Sequence, residues 1–245
     1  PHVWDDLRFL GKQWRPITHW GIREAEVGPM AAPGTYTVKL TTGGKSYTQP
    51  LEVLADPRSR ATPNETEATV KMLLKIRDDI SSVSEMVNQI EWLRKELQTI
   101  ENMLGKEGTP QASTLRSVQD MDKKMQAVED QLLSPALANS DEKSYLAPYK
   151  LYLHLIWLNG EIGTGAGDVA GNPGYSPTDA SVQVFHGLES KLAKAKSDYR
   201  NLMEKEVPAF NRSLAGRDIS PLVARMSSAS TEEPTPAAGA AHPSR

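Results

Sequence analysis

The sequence predicts a mainly α-helical α+β protein in three stretches: an incomplete β-sandwich module over residues 1–57, an antiparallel four-helix bundle over 58–215, and a disordered tail over 216–245. Three observations carry this. Residues 35–54 alternate apolar and polar about a Gly-Gly pair; residues 63–207 carry apolar side chains at three- and four-residue steps; and from Gly216 onward Ser, Ala, Pro and Thr replace large apolar residues.

The first stretch holds three of the five tryptophans, Trp4, Trp14 and Trp20, and shows no helical period. Between Thr35 and Thr41, Tyr36, Val38 and Leu40 fall on one side of an extended chain and Thr37 and Lys39 on the other, the pattern of a half-buried strand. Gly43 and Gly44 can take positive φ, and Ser46 to Leu54 alternates again through Tyr47, Leu51 and Val53, so the two runs close as a hairpin. Pro33-Gly34 and Asp56-Pro57 bound it. Pro50 has no amide hydrogen to donate, which assigns its strand to an edge or a bulge. Val3 to Leu10 reads as a further strand. Two or three strands do not make a stable sandwich, so the module is expected to lack N-terminal partners.

Thr62, Pro63 and Glu65 combine a capping hydroxyl, a first-turn proline and an early acid, a helix start. Leu73, Ile76, Ile80, Val83, Val87, Ile90, Leu93, Leu97, Ile100 and Leu104 then form one stripe on a helix roughly 60 Å long at 1.5 Å per residue. Gly105, then Gly108, Thr109 and Pro110, end it. Arg94 and Glu101 occupy the heptad positions that Leu73, Ile80 and Val87 hold earlier, which fits a bundle seam better than a coiled-coil dimer. A second helix carries Leu115, Val118, Met121, Met125, Val128 and Leu132 and closes at Ser134-Pro135; short loops make such helices antiparallel neighbours. Tyr145 to Ile162 is apolar nearly all round and is predicted as the most buried helix, with a buried, satisfied imidazole at His154. Gly160 to Gly174 is a loop. A fourth helix opens at Ser176, Pro177, Thr178 and Asp179, carries Val182, Phe185, Leu188, Leu192, Ala195, Tyr199, Leu202 and Met203, and is predicted to stop near Val207-Pro208.

With 28 Lys and Arg against 31 Asp and Glu, the formal charge is -3, which removes the attraction to phosphate that a nucleic-acid binder uses. Absence of cysteine excludes disulfide scaffolds and thiol nucleophiles. The longest apolar stretch, Leu151 to Leu158, is far short of the roughly 20 residues that span a bilayer. The chain opens at Pro1 without Met or a leader and is read as a fragment of something longer. His2, His19, His154, His186 and His242 show no helical metal-site spacing, so no metal and no cofactor is assigned. Gly165, Gly167 and Ala170 fit a loose dinucleotide pattern, but a helix precedes them where a strand is required. Asp5, Asp6, Glu24, Glu26 and Asp56 are acids without evident pairing, and no nucleophile elbow is present, so no catalytic residue is assigned. Trp4, Trp14 and Trp20 suit either a small core or the stacking of sugar rings. Asn64 and Asn211 head formal glycosylation sequons.

Pro33 to Leu40, Gly44 to Leu51 and Asp56 to Arg58 together resemble the C-terminal region of large exported bacterial β-propeller proteins described as BNR-repeat or sortilin-type glycosyl hydrolases. Trp4 to Arg8 resembles a Trp-Asp-Leu-Arg strand of the same module, with a doubled Asp as a departure, and Ser176 to Thr178 and Pro208 to Asn211 resemble the family's helical tail. The resemblance implies an Ig-like or fibronectin-like module after a propeller, followed by a helical extension; an exported location; and an active centre, if any, in the propeller. The expectation is a non-catalytic accessory region whose partner is the propeller of the same polypeptide. The alternatives are a carbohydrate-binding module through the tryptophans, taking polysaccharide, and a helical self-association module taking another protein.

Overall fold

The computed structural model of the chain describes residues 3–4, 14–15, 29, 31–105, 112–134, 147–163 and 175–224. The fold is mainly helical, with two separate two-stranded antiparallel sheets among the described residues. Its spine is α1 (Pro63–Leu104), 42 residues long. Thr62 caps it: the Thr62 hydroxyl accepts from the Glu65 amide while the Glu65 carboxylate accepts from the Thr62 amide at 2.7 Å, so two otherwise orphaned donors are satisfied. Every residue of the predicted stripe, from Leu73 to Leu104, is buried.

At 1.5 Å per residue α1 runs about 63 Å, and no other helix among the described residues matches it. It is covered in series. Helix α2 (Ala112–Leu132) runs antiparallel along its C-terminal half, where Gln119 bonds Glu101 and Arg94 meets Asp122 and Glu129. Helix α3 (Leu151–Gly163) begins beside the end of α2 and continues in the same sense, bringing Gly163 against Leu73. Two helices in line, about 31 and 20 Å long, thus cover one long partner. Helix α4 (Asp179–Asn201), capped by Thr178 on the Ser181 amide, returns alongside α3 in the sense of α1 and reaches α1 through Lys75–Glu189 and Lys196–Asp79. Consecutive helices are therefore not all antiparallel neighbours, as short loops led one to expect.

Three further expectations need correction. Helix α3 starts at Leu151, not at Tyr145, because Pro148 lacks an amide hydrogen and biases Ala147 away from helical angles; Tyr145 itself lies outside the described residues. Pro208 does not stop the fourth helix. A π-helical turn, Leu202–Glu206, precedes it, with the Val207 amide donating to Leu202 O; the widened turn relieves the clash between the proline ring and the carbonyl four residues back, and α5 (Val207–Leu214) continues. Finally, residues 216–224, inside the stretch expected to be without order, strap back over the helices, with Leu222 buried and Arg217 donating to the Thr114 hydroxyl. The remainder of the tail lies outside the described residues.

The heptad break at Arg94 is filled by charge. Its guanidinium, 4% exposed, bonds both oxygens of Asp122 at 2.8 and 3.1 Å and donates to Glu129, which is fully buried. Burial alone would lower the Arg94 pKa; the bonds and charge of Asp122 and Glu129 more than offset this and raise it. Breaking a buried pair by removing one partner costs more than the pair itself contributes. Arg94→Met is expected to lose about 3–5 kcal/mol in urea unfolding by stranding Glu129, and Arg94→Met with Glu129→Leu to regain most of that loss. A single variant as stable as the parent would show that the α1–α2 seam does not depend on this pair.

Candidate interaction surface

The hairpin presents the most distinctive exposed chemistry among the described residues. Strands β3 (Gly34–Thr42) and β4 (Lys45–Val53) pair antiparallel in one register, with Tyr36 opposite Leu51, Val38 opposite Gln49 and Leu40 opposite Tyr47. Gly43 and Gly44 both hold positive φ, 54 and 74°, in a two-residue turn whose twist matches that of the strands. Counting from the hydrogen-bonded closing pair Thr42–Lys45, hydrogen-bonded pairs alternate with open ones. Pro50 opposite Thr37 is an open pair, so its missing donor faces away from β3, at the sheet edge the sequence predicts.

One face of this ribbon holds Tyr36, Val38, Leu40, Tyr47, Gln49 and Leu51; the other holds Thr35, Thr37, Lys39, Thr41, Ser46, Thr48, Pro50 and Glu52. The alternation is as predicted, but the half-burial is not: Val38, Tyr47 and Leu40 are 49, 55 and 60% exposed. An alternating pattern needs a second layer to become a core, and among the described residues none lies on this face.

The tryptophans are placed only in part. β1 (Val3–Trp4) and β2 (Trp14–Arg15) pair antiparallel with Trp4 directly opposite Trp14, and β1 lies alongside α1. Trp20 lies outside the described residues, as do Asp5, Asp6, Glu24, Glu26, His2, His19, His242 and residues 164–174; the expected Gly160–Gly174 loop begins later than predicted, because residues 160–163 continue α3. Asp56, the one acid of that set that is described, is clamped by Arg58, whose backbone amide and guanidinium both donate to it at 2.9–3.0 Å. The Arg58 side-chain bond holds the Asp56 pKa down at about 2, which keeps it ionised and unsuited to donating a proton near neutrality. No cluster of three or more potential metal ligands occurs among the described residues, and no described helix is long and apolar enough to cross a membrane.

A second feature escaped sequence reasoning. His154 is not buried in α3: it faces outward, its ring edge-on to Tyr149 at 6.0 Å, over a cleft of about 270 Å³ lined also by Asp130, Gln131, Lys150, Lys191 and Lys194. Lys194 is tied to Asp198 at 2.6 Å. Partial burial, then the Lys191 charge, lower the His154 pKa below the ordinary histidine value. No spacing in sequence joins Lys150 to Lys191, so only tertiary structure could show this cleft.

Comparison with protein-family models, with curated proteins and with solved structures finds no match to this chain.

His154 provides a test of the geometry of this cleft. Its imidazole is expected to titrate below about 6.5 by NMR, and Lys191→Ala to move it upward. A histidine with a depressed folded pKa contributes stability that is present above the unfolded value and lost as pH falls through the folded one. His154→Gln should therefore flatten the loss of stability on acidification across that window. An unshifted titration would mean that Lys191 does not face the imidazole.

Proposed function

We propose that this chain is the non-catalytic accessory region of a larger exported β-propeller protein of the glycosyl-hydrolase-like type, with the β3–β4 ribbon as one edge of an Ig-like or fibronectin-like module and the helices as a bundle behind it. Its work in this reading is structural: it docks against the propeller of the same polypeptide and holds that assembly together. The observation that carries the proposal is the apolar face of a two-stranded ribbon left open to solvent. Burial contributes about 25 cal/mol per Å² of apolar surface, and a lone hairpin is marginal in water, so this face is better explained as half of an interface than as a finished surface. The motif residues of the resemblance, Pro33 to Leu40 and Gly44 to Leu51, are those that build the ribbon.

The helical unit supports the division of labour. It has its own continuous core and needs nothing from the hairpin to bury it. A carbohydrate-binding role is the second reading, favoured by the register that pairs Trp4 with Trp14 in the β1–β2 ladder, since tryptophan is a residue type that stacks on sugar rings. It predicts a tryptophan fluorescence shift on adding polysaccharide.

Two measurements test the proposal. In extracts of the source, an antibody raised against α1 should detect a species far larger than 26.9 kDa; a native species of that mass would remove the accessory reading. In the isolated chain, Val38→Thr, Leu40→Thr and Tyr47→Thr together should change unfolding free energy by less than about 0.5 kcal/mol, as exposed substitutions do. A loss well above 1 kcal/mol would mean that the ribbon face is covered within this chain and is not a docking surface.

A further inference from the structure

The strap after α5 is held in an unusual way for a tail. The Asn211 amide, on α5, acts as a substitute backbone: its Nδ2 donates to Leu222 O at 2.9 Å and its Oδ1 accepts from the Leu222 amide at 2.8 Å. On α1, one turn apart, the Trp92 indole donates to Val223 O at 3.1 Å and the Glu96 carboxylate accepts from the Val223 amide at 3.0 Å. Two consecutive residues thus have both main-chain groups read by side chains. Only one strap side chain is fully swallowed: Leu222 is 4% exposed, while Val223 is 61% exposed. Pro221 fixes φ ahead of the pair and biases Ser220 toward extended angles, so the strap enters already straightened.

We propose that the groove between α1 and α5, built by Trp92, Glu96 and Asn211, is a binding site for an extended main chain carrying one apolar anchor, occupied in this chain by its own Leu222–Val223 and open to the same segment of a second copy by strap exchange. The contacts are indifferent to whether the strap arrives in cis or in trans, because the main chain of Leu222–Val223, the Leu222 side chain and, ahead of them, Ile219 and Arg217 all meet surfaces that every copy carries. What normally keeps a strap at home is its high effective concentration. Against that stands the hinge. Between α5 and the strap, Gly216 and Asp218 both hold left-handed φ, 78 and 57°, and the latter is a conformation that few non-glycine residues adopt. Short strained hinges favour exchange, since opening relieves the hinge while every strap contact is remade in the partner. The resulting contact would be reciprocal, as a two-fold dimer requires.

This inference stands apart from the docking of the β ribbon, and its test separates the two. The chain has no cysteine, so single labels can be placed at will. One full-length population carries a donor at Ala224→Cys, on the strap; a second carries an acceptor at Gln98→Cys, an exposed position of α1 two residues beyond Glu96. The two are unfolded in urea, mixed, and refolded together at high and at low protein concentration. Intermolecular energy transfer is expected after concentrated refolding, to be several-fold weaker after dilute refolding, and to be lost when both populations carry Asn211→Ala. Circular dichroism checks that this variant keeps its helices; should it not, Trp92→Phe, which keeps an aromatic ring while losing the indole N–H and part of its bulk, takes its place and is expected to reduce transfer. No transfer at high concentration overturns the proposal. Transfer that survives both variants also overturns it, because association would then run through the hairpin or another face.

Discussion

A helix of 42 residues with an apolar stripe along its whole length, broken by charge only at Glu91 and Arg94, imposes a requirement on everything downstream of it. The stripe must be covered along its full length, and among the described residues no second helix is long enough to do so. Helices α2 and α3 meet the requirement end to end, and the arrangement of α4, α5 and the strap follows from where those two leave the core open. Tyr175, at the start of the return, is fixed by the Thr69 hydroxyl near the beginning of α1 at 2.6 Å, while Val223, at its finish, is fixed by Trp92 and Glu96 farther along the same helix. The return path from α4 to the strap therefore measures itself against α1.

Departures from regularity occur where this covering would otherwise fail. Arg94 interrupts the stripe, and the buried carboxylate of Glu129 with the half-buried one of Asp122 absorb the charge instead of letting water in. Pro208 would break the return helix two residues before Phe210 reaches the core; the π-turn displaces the break into a widening and keeps Val207, Phe210 and Leu214 on the buried side. Both are local irregularities that preserve a global pattern. A sequence read residue by residue sees the irregularity and misses what it preserves.

That distinction explains what was legible in advance. Helix starts were readable because Thr62 with Glu65, and Thr178 ahead of Ser181, are closed local systems whose bonds span three residues. The hairpin turn was readable for the same reason, since Gly43 and Gly44 encode φ directly. The π-turn was not, because proline announces a missing donor and not how the neighbouring turn adapts. Nor was the fate of the ribbon: alternation says that two faces differ and leaves open what covers the apolar one. His154 was misplaced because composition was averaged around a helix whose two exposed positions, His154 and Trp157, fall on one outward line. The strap was hidden by averaging too, where Leu222 and Val223 sit among Ser, Pro and Ala yet are held by contacts from residues 11 and more than 100 positions away respectively.

Two exposed systems remain, and their polar groups are treated differently. In the strap, the main-chain groups of Leu222 and Val223 are each satisfied, so the surface is complete and changes only by exchanging one copy for another. In the ribbon, the outward-facing amides and carbonyls of Thr35, Thr37, Lys39 and Thr41 line one open edge, whereas the other edge is interrupted at Pro50. A strand joining this sheet therefore has one favourable side, next to β3, and would extend the Tyr36, Val38 and Leu40 face in the same plane. The proline thus gives an otherwise symmetric ribbon a direction of growth, and that direction points away from β4 and the Asp56–Arg58 turn that leads into the helices.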